Sequence, residues 1–280
     1  MTASVTSRFI DIHCHILPGI DDGAKDWDVS LAMARLAVAD GIGTIVATPH
    51  QLGNYELVHA ARILQLTAEV QERITAAGIP LTVLPGADVR IHEELPQFVR
   101  NQTVLTLADR KTHLLIELPH EQFLPLGQLI YRLQGEGICC ILSHPERNRE
   151  LLHSPDLLRP LVQQGCLVQL TAGSITGHFG SNVLRISRRM LEQQLVHLVA
   201  TDAHDVKHRP PCLSDAYDIV SRWVGAELAQ KIFVDNPQAV LSGGPIDAPL
   251  PITMASGGLL GMLERAIMIL WADPAPTPGR

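Results

Sequence analysis

Short apolar segments alternate with longer amphipathic segments along most of the chain. The short segments are rich in Val, Ile and Leu, and they predict seven buried strands: Phe9–Ile12, Thr44–Ala47, Leu81–Leu84, Leu114–Ile116, Ile138–Leu142, Leu167–Leu170 and Leu195–Ala200. The longer segments predict helices at Val29–Asp40, Glu56–Ala77, Glu93–Arg100, Leu124–Gln134, Val183–Gln193, Leu213–Val224 and Ala226–Val234, with helical turns from Arg147 to Gln164. Strands that are each followed by a helix predict a parallel α/β fold, either a barrel or an open doubly wound sheet.

Two further patterns refine this prediction. We find no GxGxxG or Walker loop after a predicted strand, which weakens the reading as an open nucleotide-binding sheet. The alternation ends near residue 242, so residues 1–242 are predicted to form one domain. Residues 243–280 are predicted to form a Gly/Pro linker, a short apolar helix at Gly258–Ala272 and a disordered end. That helix could pack on its own domain, form a dimer contact or touch a membrane weakly.

Composition and charge mainly argue against certain classes of protein. The 280 residues carry a formal charge of -7, which argues against a nucleic-acid binder with a broad basic face. Five cysteines form no CxxC pair, so we expect no disulfide framework and a reducing cytoplasm. We also expect no signal peptide and no stable membrane insertion, because the N-terminus lacks a long apolar stretch and no uninterrupted apolar run is long enough to span a bilayer.

Ionisable side chains follow the predicted strands at the point where each strand ends. Six of the seven strands deliver a His, Asp or Glu there: His13 and His15, His50, Asp88, Glu117, His144, and Asp202 with His204. The carboxyl ends of barrel strands meet at one rim, so these residues are expected to share a pocket. Alternate residues of a strand share a face, which predicts that His13 and His15 point together while Cys14 points away, and that Asp202 and His204 also point together.

This set of side chains predicts a metal centre. Imidazole with carboxylate suits borderline divalent ions such as Mn, Fe and Zn. With Asp22 included, five histidines and four carboxylates exceed the needs of one ion, so two or three ions that share carboxylates are expected. Such centres favour phosphoester hydrolysis. Each residue also has a structural reading, since Asp21 and Asp22 could be turn residues before Gly23, but the joint placement favours the metal site.

Two arginines are predicted to bind phosphate at the same rim. Arg147 lies just past the fifth predicted strand, and Arg209 follows the segment that contains Asp202 and His204. Arginine binds phosphate in a bidentate manner, whereas the competing reading is a surface charge or an ion pair. Lys207 and His208 flank Arg209 and could add to a basic rim.

The chain resembles the PHP (polymerase and histidinol phosphatase) superfamily, and within it the manganese-dependent protein-tyrosine phosphatases of bacterial capsule and exopolysaccharide loci. The resemblance lies in DIHCHILPGIDDGA, TIVATPH, VLPGADVRI, LLIELP, LSHPERNRE and VATDAHDVKHRPP, in that order, over about residues 9–242. The segments HCHILPGIDDG and HPERNRE are long enough to indicate this branch and not only the superfamily.

The resemblance implies a distorted (β/α)7 TIM-like barrel, three metal ions, often Mn²⁺, and hydrolysis of phosphotyrosine on the tyrosine-rich tail of a bacterial tyrosine kinase. Carried over by motif, the metal ligands are His13, His15, Asp22, His50, Asp88, Glu117, His144, Asp202 and His204, and the phosphate ligands are Arg147 and Arg209. Hydroxide held by the metal ions, and not Cys14, is the implied nucleophile. Asp88 departs from the glutamate usual in the family, and the shorter side chain could weaken bridging or favour a different ion.

Two other functions compete with this one. A small-molecule phosphoesterase, such as a histidinol-phosphate phosphatase, would use the same metal chemistry, so only the pocket distinguishes it: a lidded pocket suits a metabolite and an open rim suits a protein tail. A non-catalytic regulator that binds phosphorylated tails would show loss of ligands. Asp88 is the one departure, and it remains a carboxylate, which argues against that reading.

Overall fold

The computed structural model describes residues 9–246. The strands are β1 (Phe9–Cys14), β2 (Ile42–Ala47), β3 (His50–Gln51), β4 (Thr82–Pro85), β5 (Asp88–Arg90), β6 (His113–Glu117), β7 (Cys139–Ser143), β8 (Leu167–Thr171) and β9 (Leu198–Ala200). The α-helices are α1 (Trp27–Ala39), α2 (Ala60–Ala76), α3 (Leu95–Arg100), α4 (Gly127–Gly135), α5 (Arg149–His153), α6 (Arg159–Gln163), α7 (Ala172–Ile175), α8 (Ser181–Glu192), α9 (Ser214–Val224), α10 (Ala226–Gln230) and α11 (Asn236–Ser242). The predicted helix at Gly258–Ala272, with most of the segment 243–280, lies outside the described residues.

The strands form parallel ladders in two sheets, with the orders β1-β2-β4 and β3-β5-β6-β7-β8-β9. Two predicted strands are each split in two: β3 resumes two residues after β2, and β5 resumes two residues after β4. Pro49 lies in the first break and has no N–H to donate to a ladder. The pairing continues beyond it, since the Asp88 N–H donates to the Pro49 carbonyl at 3.2 Å.

The last strand returns to the first. The Asp202 N–H donates to the His13 carbonyl at 2.7 Å, and the His15 N–H donates to the Ala203 carbonyl at 2.8 Å. Seven parallel strand positions, each followed by helical segments, therefore run in sequence order from β1 to β9. The predicted parallel α/β fold with a distorted (β/α)7 arrangement is confirmed.

The apolar residues of the strands form two separate clusters. Strand residues such as Ile45 and Leu142 pack in a large cluster with helix residues such as Met33 and Ile130. The opposite faces form a smaller interior cluster that contains Ile12, Val46, Leu115, Ile141, Leu167 and Leu198. Two residues beyond Leu115, Ile141 and Leu167, the same faces carry Glu117, Ser143 and Gln169. The polar side chains therefore lie next to the interior apolar cluster, nearer the carboxyl ends of the strands.

A β-bulge in β1 makes this arrangement possible. Asp11 pairs with Ile45 and Cys14 pairs with Ala47, so three steps along β1 match two along β2. The extra residue resets the alternation of side chains. Ile12 can therefore belong to the interior apolar cluster, and His13, its immediate neighbour, can also face the interior of the fold.

The predicted helix ends needed correction at several places. Helix α1 begins at Trp27, and Asp26 caps it by accepting a hydrogen bond from the Val29 N–H at 2.9 Å. Helix α2 begins at Ala60 and not at Glu56, because Leu52 has a left-handed backbone (φ 67°) and turns follow it. The predicted helix Ala226–Val234 is divided into α10 and a π-helix, Lys231–Asp235, and sequence analysis missed α11.

Two further features of residues 9–246 concern the cysteine thiols and the longest helices. All five cysteines lie within residues 9–246 and are free thiols there. No helix within residues 9–246 combines the length and the apolar character needed to cross a bilayer.

Candidate metal centre

The nine predicted metal ligands come together at the carboxyl ends of the strands. They fall into four overlapping groups, and within each group one potential ligand atom per residue lies within 4.8 Å of the others. The groups are His15, Asp22, His50 and His204; His13, His15 and Asp88; His13, His144 and Asp202; and His50, Asp88 and Glu117. Several residues belong to two groups, which is the pattern expected where neighbouring ions share ligands.

The first strand and the turn after it contribute three of the nine. Nε2 of His13 lies 3.2 Å from Nε2 of His15, so the two imidazoles meet as predicted. The turn folds back against β1 because Gly23 has no side chain: a Cβ there would lie 2.2 Å from the His15 carbonyl oxygen. Asp22 is thereby brought over the site, with Oδ1 at 3.4 Å from Nε2 of His50 and 3.5 Å from Nε2 of His204.

Two buried carboxylates, Asp88 and Glu117, complete the donor groups. Asp88 Oδ1 accepts a hydrogen bond from Ser143 Oγ at 3.1 Å, while Oδ2 lies 3.5 Å from His50 Nδ1 and 3.7 Å from His13 Nε2. Burial and the negative charge of Asp88 raise the pKa of Glu117 to about 7. Carboxylates held this close in a buried site repel one another, and a bound cation would relieve that repulsion.

Two predicted ligands have left-handed backbones. His144 directly follows β7 with φ 31° and ψ 51°, and Asp202 follows β9 with φ 51°. Asp202 Oδ1 lies 3.7 Å from His204 Nδ1, so these side chains do lie close together. Strand alternation is not the reason, however, because β9 ends at Ala200 and the backbone of Asp202 is left-handed.

Both predicted phosphate ligands converge on one carboxylate. Arg147 lies in a 3₁₀ turn after β7, and Arg209 lies in the loop after β9; Nη2 of each pairs with Oδ2 of Asp202. The other oxygen, Oδ1, lies 3.3 Å from His13 Nε2. Although burial favours the protonated acid, Arg147 and His13 hold the pKa of Asp202 well below its usual range. Asp202 therefore connects the candidate metal ligands to the candidate phosphate ligands.

Sequence analysis missed the role of Asp21, which was considered only as a turn residue. Asp21 Oδ2 lies 2.7 Å from His15 Nδ1 and accepts a hydrogen bond from the His50 N–H at 3.1 Å, and Oδ1 accepts one from the Gly23 N–H at 3.0 Å. An ionised carboxylate only accepts, so Nδ1 of His15 carries the hydrogen and Nε2 faces the other ligands. A carboxylate behind a ligating histidine is a common feature of metal sites, and the DDG sequence could have suggested it.

Two further residues orient predicted ligands and were also missed. Gln169 Oε1 lies 3.0 Å from His13 Nδ1, which again leaves Nε2 directed at the site. Arg90 donates through Nη1 to Glu117 Oε2 at 2.9 Å and to the Leu118 carbonyl at 3.0 Å. Both contacts join neighbouring or distant strands, so they depend on a three-dimensional register that the sequence pattern does not contain.

The donors fit divalent metal ions. Atoms bound to one ion at about 2.1 Å lie roughly 3 Å or more apart, as the His13, His15 and Asp202 contacts do. Asp88 Oδ2 is buried and has no hydrogen-bond partner among the described residues, which is costly unless a cation binds there. Burial lowers the pKa of His13 to about 4, so its imidazole is neutral, the form that binds metals.

Cys14 has the properties of a core residue. It packs in the large apolar cluster and is fully buried. In the sequence it lies between His13 and His15, which both face the site. Burial raises the pKa of its thiol well above the ordinary value, so the nucleophilic thiolate is strongly disfavoured. The structure thus gives a physical reason to expect chemistry at the metal ligands and not at this cysteine.

Comparison with known proteins identifies the family of the chain. The family described as "Capsular polysaccharide synthesis, CpsB/CapC" matches residues 9–242. The tyrosine-protein phosphatase YwqE of Bacillus subtilis is 39% identical over 87% of this chain and 96% of its own length, and the tyrosine-protein phosphatase CpsB of Streptococcus pneumoniae is 28% identical over 83% and 98%.

The fold agrees as well. A crystal structure from a study of YwqE and CpsB as metal-dependent tyrosine phosphatases superimposes with a TM-score of 0.83 and 39% identity, covering 88% of this chain and all of the other. The branch of phosphatases that the sequence motifs indicated is therefore confirmed at the level of the family. The chain belongs to the CpsB/CapC family of capsular polysaccharide synthesis proteins.

Proposed function

We propose that this protein is a cytoplasmic, metal-dependent protein-tyrosine phosphatase that removes phosphate from the tail of a bacterial tyrosine kinase during capsule or exopolysaccharide synthesis. The observation that carries the proposal is the convergence of Arg147 and Arg209 on Asp202, beside a cluster of imidazole and carboxylate donors. The names of the two relatives support a phosphoric monoester hydrolase, and the family description supports the pathway.

Nine residues would hold the ions, which we take to be three Mn²⁺, with Fe or Zn as alternatives: His13, His15, Asp22, His50, Asp88, Glu117, His144, Asp202 and His204. Bound ions would lower the pKa of a water molecule so that it can attack phosphorus, and would neutralise the phosphate. Asp88 occurs in two of the four donor groups in spite of its short side chain, so it is a candidate bridging ligand.

The arginines would bind and orient the phosphate. Guanidinium groups match phosphate oxygens in a bidentate geometry, and Asp202 already directs Nη2 of both arginines to one point. The ring of Phe179 lies 5.1 Å from Cζ of Arg147 and restricts its plane. The phosphate would thus be held between fixed positive groups before any charge develops on the leaving oxygen, which is the arrangement that stabilises a transition state.

The exposure of the site favours a protein substrate over a metabolite. The side chain of Asp22 is 53% exposed and that of Arg209 is 24% exposed, although Asp88 and Asp202 beneath them are buried. The phosphate site is thus reached from solvent at its upper edge, where a chain segment with a phosphotyrosine can lie. This edge supports the phosphatase over the histidinol-phosphatase alternative.

The test is phosphate release from a phosphotyrosine peptide and from histidinol phosphate, measured in parallel on metal-stripped protein refilled with Mn²⁺. We expect metal-dependent release from the peptide, and a loss of about 10²- to 10³-fold in kcat/KM in Arg147→Ala, the effect typical of removing one transition-state donor. Arg149→Ala is the matched control, because Arg149 is 73% exposed and pairs with Glu121 outside the site.

The outcomes separate the candidate functions. Release from histidinol phosphate alone would reject the tyrosine phosphatase but keep the metal centre. Release from neither substrate by the metal-loaded protein would reject both enzymes in favour of a binding role. Equal losses in Arg147→Ala and Arg149→Ala would show that Arg147 has no special part in phosphate binding.

A further inference from the structure

A cavity of about 280 Å³ opens next to Arg209. Two segments form most of its walls: residues 171–179, which begin at the end of β8, and residues 207–215, which follow β9; Thr201 completes the lining. We call it the Arg209 cavity. None of the nine predicted metal ligands lines it, so it is a separate space beside the candidate metal centre.

The residues that line the Arg209 cavity carry more positive than negative charge. Lys207 and Arg209 contribute two positive charges, and Asp215 contributes the one carboxylate among its lining residues. His178 and Phe179 form part of the facing wall. A concave surface with an excess of positive charge concentrates anions more effectively than a flat one.

The loop that carries these positive charges is held in place. Asp205 Oδ1 accepts hydrogen bonds from the backbone N–H groups of Lys207 and His208, both at 2.6 Å. The His204 N–H donates to the Arg209 carbonyl at 2.9 Å, which closes the loop against the metal centre. The backbone that carries Lys207 and Arg209 is therefore held against the candidate metal centre.

The cavity is continuous with the phosphate-binding arginines. Arg209 is part of its wall while its Nη2 pairs with Asp202, and nothing in the described chain accepts a hydrogen bond from its buried Nε. Phe179 faces the cavity and also contacts the guanidinium group of Arg147. Because Arg209 belongs both to the candidate phosphate site and to the cavity wall, the cavity lies beside the place where a bound phosphotyrosine would enter. The next residue of an extended peptide is about 3.5 Å further along the backbone, so a flanking side chain can reach the cavity.

We propose that the Arg209 cavity binds the anionic side chain of a residue that flanks the phosphotyrosine, so that the enzyme prefers phosphotyrosine in an acidic or multiply phosphorylated sequence. This inference rests on the proposed tyrosine phosphatase activity and adds a specificity subsite to it. The required chemistry is a negative charge, which either a carboxylate or a second phosphate can supply. Lys207 is the main specificity-determining residue, since its charge is not engaged by Asp202.

The experiment compares kcat/KM for peptides of one length that contain a single phosphotyrosine flanked by Gln, by Glu, by phosphoserine or by Lys. Wild-type protein loaded with Mn²⁺ should hydrolyse the Glu and phosphoserine peptides about three- to tenfold better than the Gln peptide, and the advantage should shrink at high salt. In Lys207→Ala the ratio of Glu to Gln peptide should fall towards one. In Lys207→Glu the order should reverse, with the Lys peptide preferred.

Lys111→Ala is the control, because Lys111 is a partly exposed lysine just before β6, at the amino end of the strands. It should retain the preference of the wild-type protein. A preference for phosphoserine but not Glu would identify a second phosphate as the required anion. Equal hydrolysis of all peptides by wild-type protein, or an unchanged ratio in both Lys207 variants, would overturn the subsite and leave the phosphatase intact. Failure to hydrolyse any of the peptides would instead overturn the proposed function.

Discussion

The substitution Asp21→Asn should weaken metal binding although Asp21 is not one of the predicted ligands. One carboxylate oxygen, Oδ2, faces His15 Nδ1 at 2.7 Å and the His50 N–H at 3.1 Å, and the other faces the Gly23 N–H at 3.0 Å. An asparagine can offer only one acceptor oxygen, so its NH₂ group must face at least one of these donors.

The size of the effect follows from that mismatch. Leaving one buried donor unsatisfied costs about 1–3 kcal/mol. Loss of an outer partner of a ligating histidine usually lowers metal affinity about 10- to 100-fold, which is about 1.4–2.8 kcal/mol. The two figures agree in size, and metal affinity is affected through His15 because its tautomer and its ring orientation both depend on the Asp21 carboxylate.

The assay is calorimetric titration of metal-stripped protein with Mn²⁺. Asp218→Asn is the matched control, since Asp218 is exposed on α9. Circular dichroism of each apo protein would show that the fold is intact before titration. If Asp21→Asn bound Mn²⁺ within twofold of the wild-type protein, the assignment of Asp21 as the residue that orients His15 would be refuted.

Three further substitutions test other parts of the site. Gly23→Ala should displace the turn that carries Asp22 and abolish tight Mn²⁺ binding, because the new Cβ would lie 2.2 Å from the His15 carbonyl oxygen. Gly135→Ala is the control: a Cβ there meets nothing within 4 Å, so thermal stability should be unchanged or slightly raised. Arg90 lowers the pKa of Glu117, which is about 7, so Arg90→Gln should raise that pKa further. Because the ionised carboxylate is the form that binds a metal ion, the midpoint of Mn²⁺ binding should move to higher pH, and an unchanged midpoint would contradict this. Cys14→Ala should retain most phosphate release, measured as turnover of a phosphotyrosine peptide, and its complete loss in a folded variant would reopen the case for a cysteine nucleophile.

Much of the candidate site could be predicted because parallel α/β topology brings strand ends together whatever the details of packing. His50, Glu117 and His144 were assigned from their positions directly after apolar segments. No knowledge of strand order was needed, since every strand of such a fold ends at the same rim. The nine candidate donors and two arginines were therefore predicted from the sequence, and the structure brings the donors into overlapping groups, with both arginines paired to Asp202.

The contacts that orient those residues could not be predicted in the same way. Gln169 reaches His13 from a strand that is 156 residues away in the chain, and this contact requires both the register of β8 and the bulge in β1. The start of α2 was predicted wrongly for a related reason. Glu56 has a good intrinsic helix propensity, but the backbone is left-handed at Leu52 and turns follow it, so the helix begins only at Ala60. Local propensity does not contain such tertiary constraints.

The site depends on departures from regular strand geometry, and this explains how so many donors fit in a small volume. A regular strand supplies one inward side chain for every two residues, which would spread the donors along the strands. The bulge in β1 and the left-handed residues His144 and Asp202 break that spacing and turn additional side chains inward.

Left-handed backbone at a residue other than glycine costs on the order of 1–3 kcal/mol and persists only where its surroundings hold it. Here the Asp202 N–H donates to the His13 carbonyl, and the carbonyl of His144 accepts a hydrogen bond from the Arg147 N–H. The same hydrogen bonds that offset the strain therefore connect the candidate metal ligands to an arginine proposed to bind phosphate, so the geometry of the two parts of the site cannot vary independently.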